Sequence, residues 1–148
     1  MSLRYPFFYD DGGRQAAGYR GTTGDCATRA AAIALQLPYE VVYGSLADFC
    51  KSERASKVRR GTSHPRTGIH TVTYSRWLTE EMGCIWHATM GIGTGCRVHV
   101  APGELPEDRR LILNLSRHFS TLIEGVIHDL YDPSRSGTRC VYGYWWQP

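Results

Sequence analysis

Hydrophobic residues in the first half of the chain recur three and four positions apart, the spacing of one face of a helix. This pattern predicts helices over about 26–36, about 38–51 and about 72–82. Pro38 suits a first helical position, and Gly83 suits the cap that ends the third helix. The polar stretches that precede and separate these helices read as irregular segments and loops.

After Gly83 the hydrophobic pattern changes from helical to alternating, which is typical of strands. Glu124-Gly125 separates two alternating runs by two residues and predicts a hairpin turn. Helices followed by strands indicate an α+β domain, with N-terminal helices packed on a C-terminal antiparallel sheet, in a single domain over 1–148. The predicted extended segments are 84–89, 96–100, 111–115, 118–123, 126–131 and 140–145.

Composition places the chain among ordinary globular proteins. It has 148 residues, of which 42% are hydrophobic and 21% charged, and a formal net charge of +3. A chain of this length buries a core without disulfides or metal. The basic run of Arg54, Lys57, Arg59 and Arg60 is expected to be a solvated loop, so no nucleic-acid partner is predicted. No apolar run is long enough to cross a membrane, so no membrane association is predicted.

Cysteine usage bears on compartment and on metal binding. Five cysteines, without framework spacing or a secretory leader, favour a reducing, cytoplasmic setting. Cys84 with His87, and Cys96 with His99, have the local spacing of zinc ligands. Each pair falls in a predicted strand, where residues three apart point to opposite faces. We therefore expect no metal site and no cofactor.

Cys26 is the strongest candidate for chemistry. It lies where the glycine-rich loop 18–24 meets a run of helix formers, so its sulfur is expected in the first turn of a helix. Unpaired backbone N–H groups and the helix dipole favour a thiolate there. The alternative is a small buried hydrophobic residue, with Asp25 serving only as an N-cap.

A nucleophilic cysteine needs an imidazole base and a group that orients the base. His118 opens one strand of the predicted hairpin, and the returning strand carries Asp129 and then Asp132. A two-residue turn at 124–125 places position 118 opposite 131. Strand alternation then puts Asp129 on the His118 face, whereas Asp132 needs a bulge or a longer loop to turn inward.

These residues resemble those of papain-like cysteine peptidases, which place a cysteine at a helix start, then a histidine on a strand and an Asp or Asn near the end of the next. Asp132-Pro133 is similar to the Asp-Pro of bacteriocin-processing peptidases. Gly24-Asp25-Cys26 with Arg29-Ala30 is similar to the Gly-Asn-Cys and following Arg-Ala of ovarian-tumour-type deubiquitinases.

A group of small uncharacterised phage and bacterial proteins shows a resemblance over nearly the whole chain. The likeness implies a papain-like fold and a bacterial or phage-infected host cell, but no substrate. It rests on the segments Gly24-Asp25-Cys26, Thr89-Met90-Gly91-Ile92-Gly93-Thr94-Gly95-Cys96, His118, Glu124-Gly125-Val126-Ile127-His128-Asp129 and Arg139-Cys140-Val141-Tyr142-Gly143-Tyr144.

The papain-like resemblance implies a peptidase or amidase that hydrolyses a peptide or isopeptide bond of a peptide or protein substrate through a thioester. Cys26 would be the nucleophile and His118 the base. The family analogy favours Asp132 as the orienting residue, and strand alternation favours Asp129.

The resemblance departs from the family pattern at the oxyanion site. The glutamine that papain-like enzymes carry six residues before the cysteine is replaced by Arg20. The Cys26 N–H would then need a second donor from Arg20, Thr22 or Thr23, with Gly24 beside the substrate. The alternative function is a catalytically inactive module of the same fold that binds peptides or proteins.

Overall fold

The computed structural model describes residues 4–53 and 61–148. Within these residues the chain forms three α-helices, one π-helical turn and six strands. One strand precedes the helices, and the other five follow them. The elements are β1 Phe7–Tyr9, α1 Cys26–Leu35, α2 Tyr39–Cys50, α3 Thr71–Arg76, the π turn Trp77–Glu81, β2 Ile85–Ala88, β3 Arg110–Leu115, β4 His118–Ile123, β5 Val126–Asp129 and β6 Gly143–Trp146.

The strands form one sheet in the order β1-β5-β4-β3-β6-β2. The neighbouring pairs from β5 to β2 are antiparallel, whereas β1 pairs with β5 in parallel. The α+β class is confirmed, but the sheet is mixed rather than antiparallel. The prediction missed β1 because a three-residue strand that pairs with a distant segment leaves little local pattern.

Helix α1 packs against β4 and β3 through small side chains that let the helix approach the sheet closely. Tyr74 is fully buried beside this interface, and its hydroxyl donates to the Ala27 carbonyl at 2.7 Å. Its ring packs 4.4 Å from the Phe119 ring, between centroids. The first turn of α1, which carries Cys26, is therefore held against the beginning of β4.

The other face of the sheet has its own core. Strands β3, β4 and β5 contribute alternate residues to it, as expected for a sheet buried on both faces. Two apolar layers therefore hold the central strands in a fixed register. The buried residues of this second cluster are Tyr5, Val100, Leu105, Leu111, Leu113, Leu115, Leu122, Ile127, Val141 and Tyr144.

The β4–β5 hairpin has the two-residue turn that the sequence predicts. Glu124 and Gly125 both adopt positive φ, 47° and 81°, as in a type I′ turn. Ile123 pairs with Val126 and Thr121 with His128. Continued by one further step, this register sets Asp129 opposite Ser120.

One other predicted segment differs from the structure, since the third helix changes to a π turn at Trp77. The segment 96–100, predicted as a short strand or an extended loop, is a loop with one isolated bridge, between His99 and Cys140. The basic run from Arg54 to Arg60 lies outside the described residues.

Cysteine pairing also differs from the expectation. Cys96 and Cys140 form a disulfide, while Cys26, Cys50 and Cys84 are free thiols. Disulfides are rare in reducing compartments, so this pairing does not support the cytoplasmic setting that the cysteine count and spacing predict. Among the described residues, no helix combines the length and the apolar character that a membrane crossing requires.

Candidate active site

Cys26 and His118 line the same surface cleft, which has a volume of about 420 Å³. Cys26 is the first residue of α1, and His118 is the first residue of β4. Because α1 packs on β4, the first residue of the helix and the first residue of the strand meet at the same end of the sheet. Tyr131 contributes to the cleft and lies beside the imidazole, with 5.3 Å between ring centroids.

Asp129 is the carboxylate that contacts the His118 ring. Its Oδ2 lies 2.7 Å from Nε2 of His118, and both residues are buried. Ser120 donates its hydroxyl to the same oxygen at 2.6 Å, and the Leu130 amide donates to Oδ1 at 2.7 Å. With Nε2 engaged by Asp129, Nδ1 is the nitrogen left for the thiol.

The Cys26 thiol interacts with the His118 ring, and this interaction shifts the pKa values of both groups. Burial opposes the thiolate, but the hydrogen bond and charge of His118, with the Phe119 amide, lower the pKa of Cys26. Burial also opposes the imidazolium, yet Asp129 and Cys26 raise the pKa of His118 to about 9. Although burial works against it, the bond from His118 lowers the pKa of Asp129. At neutral pH these shifts favour a thiolate beside an imidazolium.

Arg29 joins the orienting carboxylate to the segment that precedes the cysteine. This buried guanidinium contacts Asp129 Oδ1 at 3.3 Å, Asp25 Oδ1 at 2.9 Å and the Thr23 carbonyl at 3.1 Å. The sequence pattern indicated Arg29 only as part of a family motif, so this role was missed. The four-residue spacing from Asp25 was the available signal, since residues so spaced share a helix face.

Asp25 is not the simple N-cap of the alternative interpretation. Its side chain makes no capping hydrogen bond and is buried. Besides Arg29, it accepts from the Tyr39 hydroxyl at 2.5 Å and pairs with Nε of Arg14 at 3.0 Å. The residue before the cysteine is therefore held by the N-terminal segment, α1 and α2 together.

Asp132, which the family analogy favoured, does not occupy the place of Asp129. Its Oδ1 accepts from the Ser134 amide at 2.9 Å, so its carboxylate stabilises the turn that follows β5. No bulge turns it inward, because the β4–β5 ladder continues in regular register to its end. The preference for Asp132 over Asp129 is therefore not supported by the contacts of His118.

The four predicted oxyanion or substrate-binding residues fall in two groups. Thr23 and Gly24 line the cleft with Cys26, whereas Arg20 lines a neighbouring pocket. The Thr22 carbonyl accepts from Arg14 at 3.0 Å. Of the two candidate threonines, Thr23 lines the cleft and Thr22 does not.

One wall of the cleft comes from the segment 64–69, which sequence reasoning treated as loop. His64 and Gly68 pair through two backbone hydrogen bonds, and the buried Thr28 hydroxyl donates to the Pro65 carbonyl at 2.7 Å. A Cβ on Gly24 would lie 3.2 Å from the Thr67 carbonyl oxygen. Glycine at 24 thus allows this wall to approach the cysteine loop closely.

The four zinc-like residues do not form a cluster. Cys96 is bonded to Cys140, and Cys84 is buried, whereas His87 is exposed on β2. Among residues 4–53 and 61–148, no three His, Cys, Asp or Glu side chains are grouped as metal ligands.

Comparisons with known proteins add no family or fold assignment: no family model, curated protein or solved structure matches the chain. The geometry of the cleft is therefore the basis for assigning a function.

Proposed function

We propose that the protein is a papain-like cysteine hydrolase that cleaves a peptide or isopeptide bond. Cys26 is the nucleophile, His118 the general acid and base, and Asp129 the residue that orients His118. The observation that carries this proposal is the cleft that Cys26 and His118 share, in which the imidazole contacts the buried Asp129 and lowers the pKa of the thiol.

The chemistry follows from the charges of the pair. The thiolate of Cys26 attacks the carbonyl carbon of the substrate, and His118 gives its proton to the departing amine, which leaves a thioester on the sulfur. Neutral His118 then removes a proton from water, and the hydroxide attacks the thioester. The C–S bond of the thioester then breaks, which releases the acid product and restores the Cys26 thiolate beside the His118 imidazolium.

Negative charge on the substrate oxygen requires donors in the cleft. The Cys26 amide is one, since the first amides of a helix lack intrahelical acceptors. Thr23 is assigned as the second donor because it lines the cleft.

Alkylation with iodoacetamide at neutral pH tests the nucleophile. Cys26 should react at least about tenfold faster than Cys50 and Cys84, because burial raises the pKa of each of those thiols to about 11. A His118→Ala variant should lose this selectivity. Equal slow labelling of the three free thiols would contradict the proposal.

A binding module without catalysis is the second candidate. Arg20, at the position where papain-like enzymes carry glutamine, lies outside the cleft. Incubation with a mixed peptide digest separates the two functions by mass spectrometry, with Cys26→Ala as the control. New termini that require Cys26 support hydrolysis, whereas selective labelling without cleavage of any peptide supports the module.

A further inference from the structure

Arg117 is the cleft residue whose charge has no partner among residues 4–53 and 61–148. It is exposed, lines the cleft and immediately precedes His118. Across the described part of the chain, its guanidinium makes no hydrogen bond or ion pair. The other arginine of the cleft, Arg29, is buried and bonded to Asp25 and Asp129.

The described lining of the cleft offers no acidic side chain to balance the charge of Arg117. The described residues that line the cleft include two arginines and His118 but no Asp or Glu. His118 is balanced by Asp129 and Cys26, and Arg29 by Asp25 and Asp129, so among the described lining residues Arg117 carries the charge left for a ligand. The cleft therefore attracts an anionic group, and a low-dielectric wall strengthens that attraction.

The backbone at Arg117 is held in place. It adopts φ 57° in the short turn between β3 and β4, whose last pair is Leu115 with His118. The buried Arg139 donates to the Ser116 carbonyl at 2.5 Å, which ties the turn to the segment after β5. A charge on a fixed turn beside the reacting pair suits recognition of a substrate group near the scissile bond.

We propose that Arg117 determines specificity and that the substrate carries a carboxylate close to the scissile carbonyl. This inference rests on the proposed function and adds to it the substrate class. The carboxylate belongs either to an acidic side chain or to a free chain terminus, since the guanidinium binds both in the same way.

Two small alkylating reagents test the inference without knowledge of the substrate. Iodoacetate carries a carboxylate, and iodoacetamide is its neutral counterpart. The rate with iodoacetate divided by the rate with iodoacetamide at Cys26 should fall roughly fivefold or more in Arg117→Glu. In Arg117→Lys this ratio should stay close to that of the native protein. The neutral reagent corrects for any change in the thiolate population.

Arg135→Glu is the matched control. Arg135 is also an exposed arginine in a turn with positive φ, 52°, but it does not line the cleft. Its ratio should equal that of the native protein. A ratio that is unchanged in Arg117→Glu, with rapid labelling by both reagents, overturns the inference alone. Slow labelling of native Cys26 by both reagents instead overturns the proposed hydrolase.

Three chloroacetylated dipeptides identify the source of the carboxylate. The first, chloroacetyl-Ala-Ala, has a free terminal carboxylate. The second, chloroacetyl-Ala-Ala amide, is neutral, and the third, chloroacetyl-Glu-Ala amide, has an acidic side chain. The acidic probe that labels Cys26 faster than the neutral amide, and loses that advantage in Arg117→Glu, marks the source. Equal rates for all three probes in the native protein contradict the assignment of Arg117.

Discussion

Nε2 of His118 and Oδ2 of Asp129 lie 2.7 Å apart, on adjacent strands joined by a two-residue turn. The turn fixes the register, the register fixes which side chains share a face, and the shared face brings imidazole to carboxylate. The orienting contact of the candidate site is thus a local property of one hairpin, while the thiol comes from a helix far away in the sequence.

Asp129→Asn should reduce alkylation of Cys26. The change removes the negative charge that favours imidazolium, so the pKa of His118 falls and that of Cys26 rises. We expect the iodoacetamide rate at mildly acidic pH to drop at least roughly tenfold. Asp132→Asn is the matched control, because Asn still accepts from the Ser134 amide, and it should preserve the rate within about twofold. Equal losses in both variants would contradict the assignment of Asp129.

The His118 ring should titrate near pH 9 rather than at its ordinary value of 6.5. Histidine ring resonances followed by NMR give this midpoint directly, and Asp129→Asn should lower it. Because the pKa is raised in the folded state, the stability from protonated His118 is complete below pH 6.5 and is lost as pH rises through about 9.

Urea unfolding checks that consequence. The difference in free energy of unfolding between the native protein and His118→Gln should be smaller at about pH 10.5 than at about pH 6. A midpoint near the ordinary value, with no change in that difference, would disprove the pairing of His118 with Asp129.

Arg29→Met should destabilise the fold strongly. The substitution leaves Asp129 and Asp25 buried without the guanidinium that both contact. Removing one partner of a buried ion pair costs about 3–5 kcal/mol of the free energy of unfolding. Arg76→Met is the control, since the Arg76–Glu80 pair is about half exposed, and it should cost less than about 0.5 kcal/mol. Similar costs in the two variants, measured by urea unfolding, would argue against a structural role for Arg29.

Reduction of the Cys96–Cys140 disulfide should lower stability. The two cysteines are 44 residues apart. Closing a loop of that length lowers the entropy of the unfolded chain and adds about 4 kcal/mol to the free energy of unfolding. A Cys96→Ser/Cys140→Ser variant, compared with the oxidised native protein in urea, measures the loss. Cys50→Ser is the control because that thiol is free.

Thiol titration of the denatured, unreduced protein checks the pairing itself. Three reactive thiols are expected, in agreement with the three free cysteines. Five thiols would exclude the disulfide under the conditions of purification.

The parts of the site that sequence predicts are those governed by local rules. Alternation along β4 and β5, with a turn at Glu124-Gly125, places Asp129 on the face of His118. The helix start at Cys26 follows from the glycine-rich loop and the alanines after it. The family analogy pointed instead to Asp132 because of the shared Asp-Pro motif. That motif carries no information about which carboxylate the hairpin turns inward.

The remaining features depend on contacts between distant segments. The exposed aromatic strand β1 has no alternating pattern, and its parallel pairing with β5 becomes visible only in the fold. The contact between Arg29 and Asp129 spans 100 residues, so no spacing rule reaches it. The disulfide likewise joins two predicted extended segments whose cysteines lie 44 residues apart, which no local pattern indicates.

The distance in sequence between the thiol and its base has a consequence for biosynthesis. A nascent chain that has emerged only through α2 carries Cys26 without the hairpin that supplies His118 and Asp129. Its sulfur is then an ordinary thiol, mostly protonated at neutral pH. The groups that lower the pKa of Cys26, His118 and the Phe119 amide, reach the sulfur only when β4 is in place, so the proposed nucleophile is not formed before the C-terminal sheet is complete.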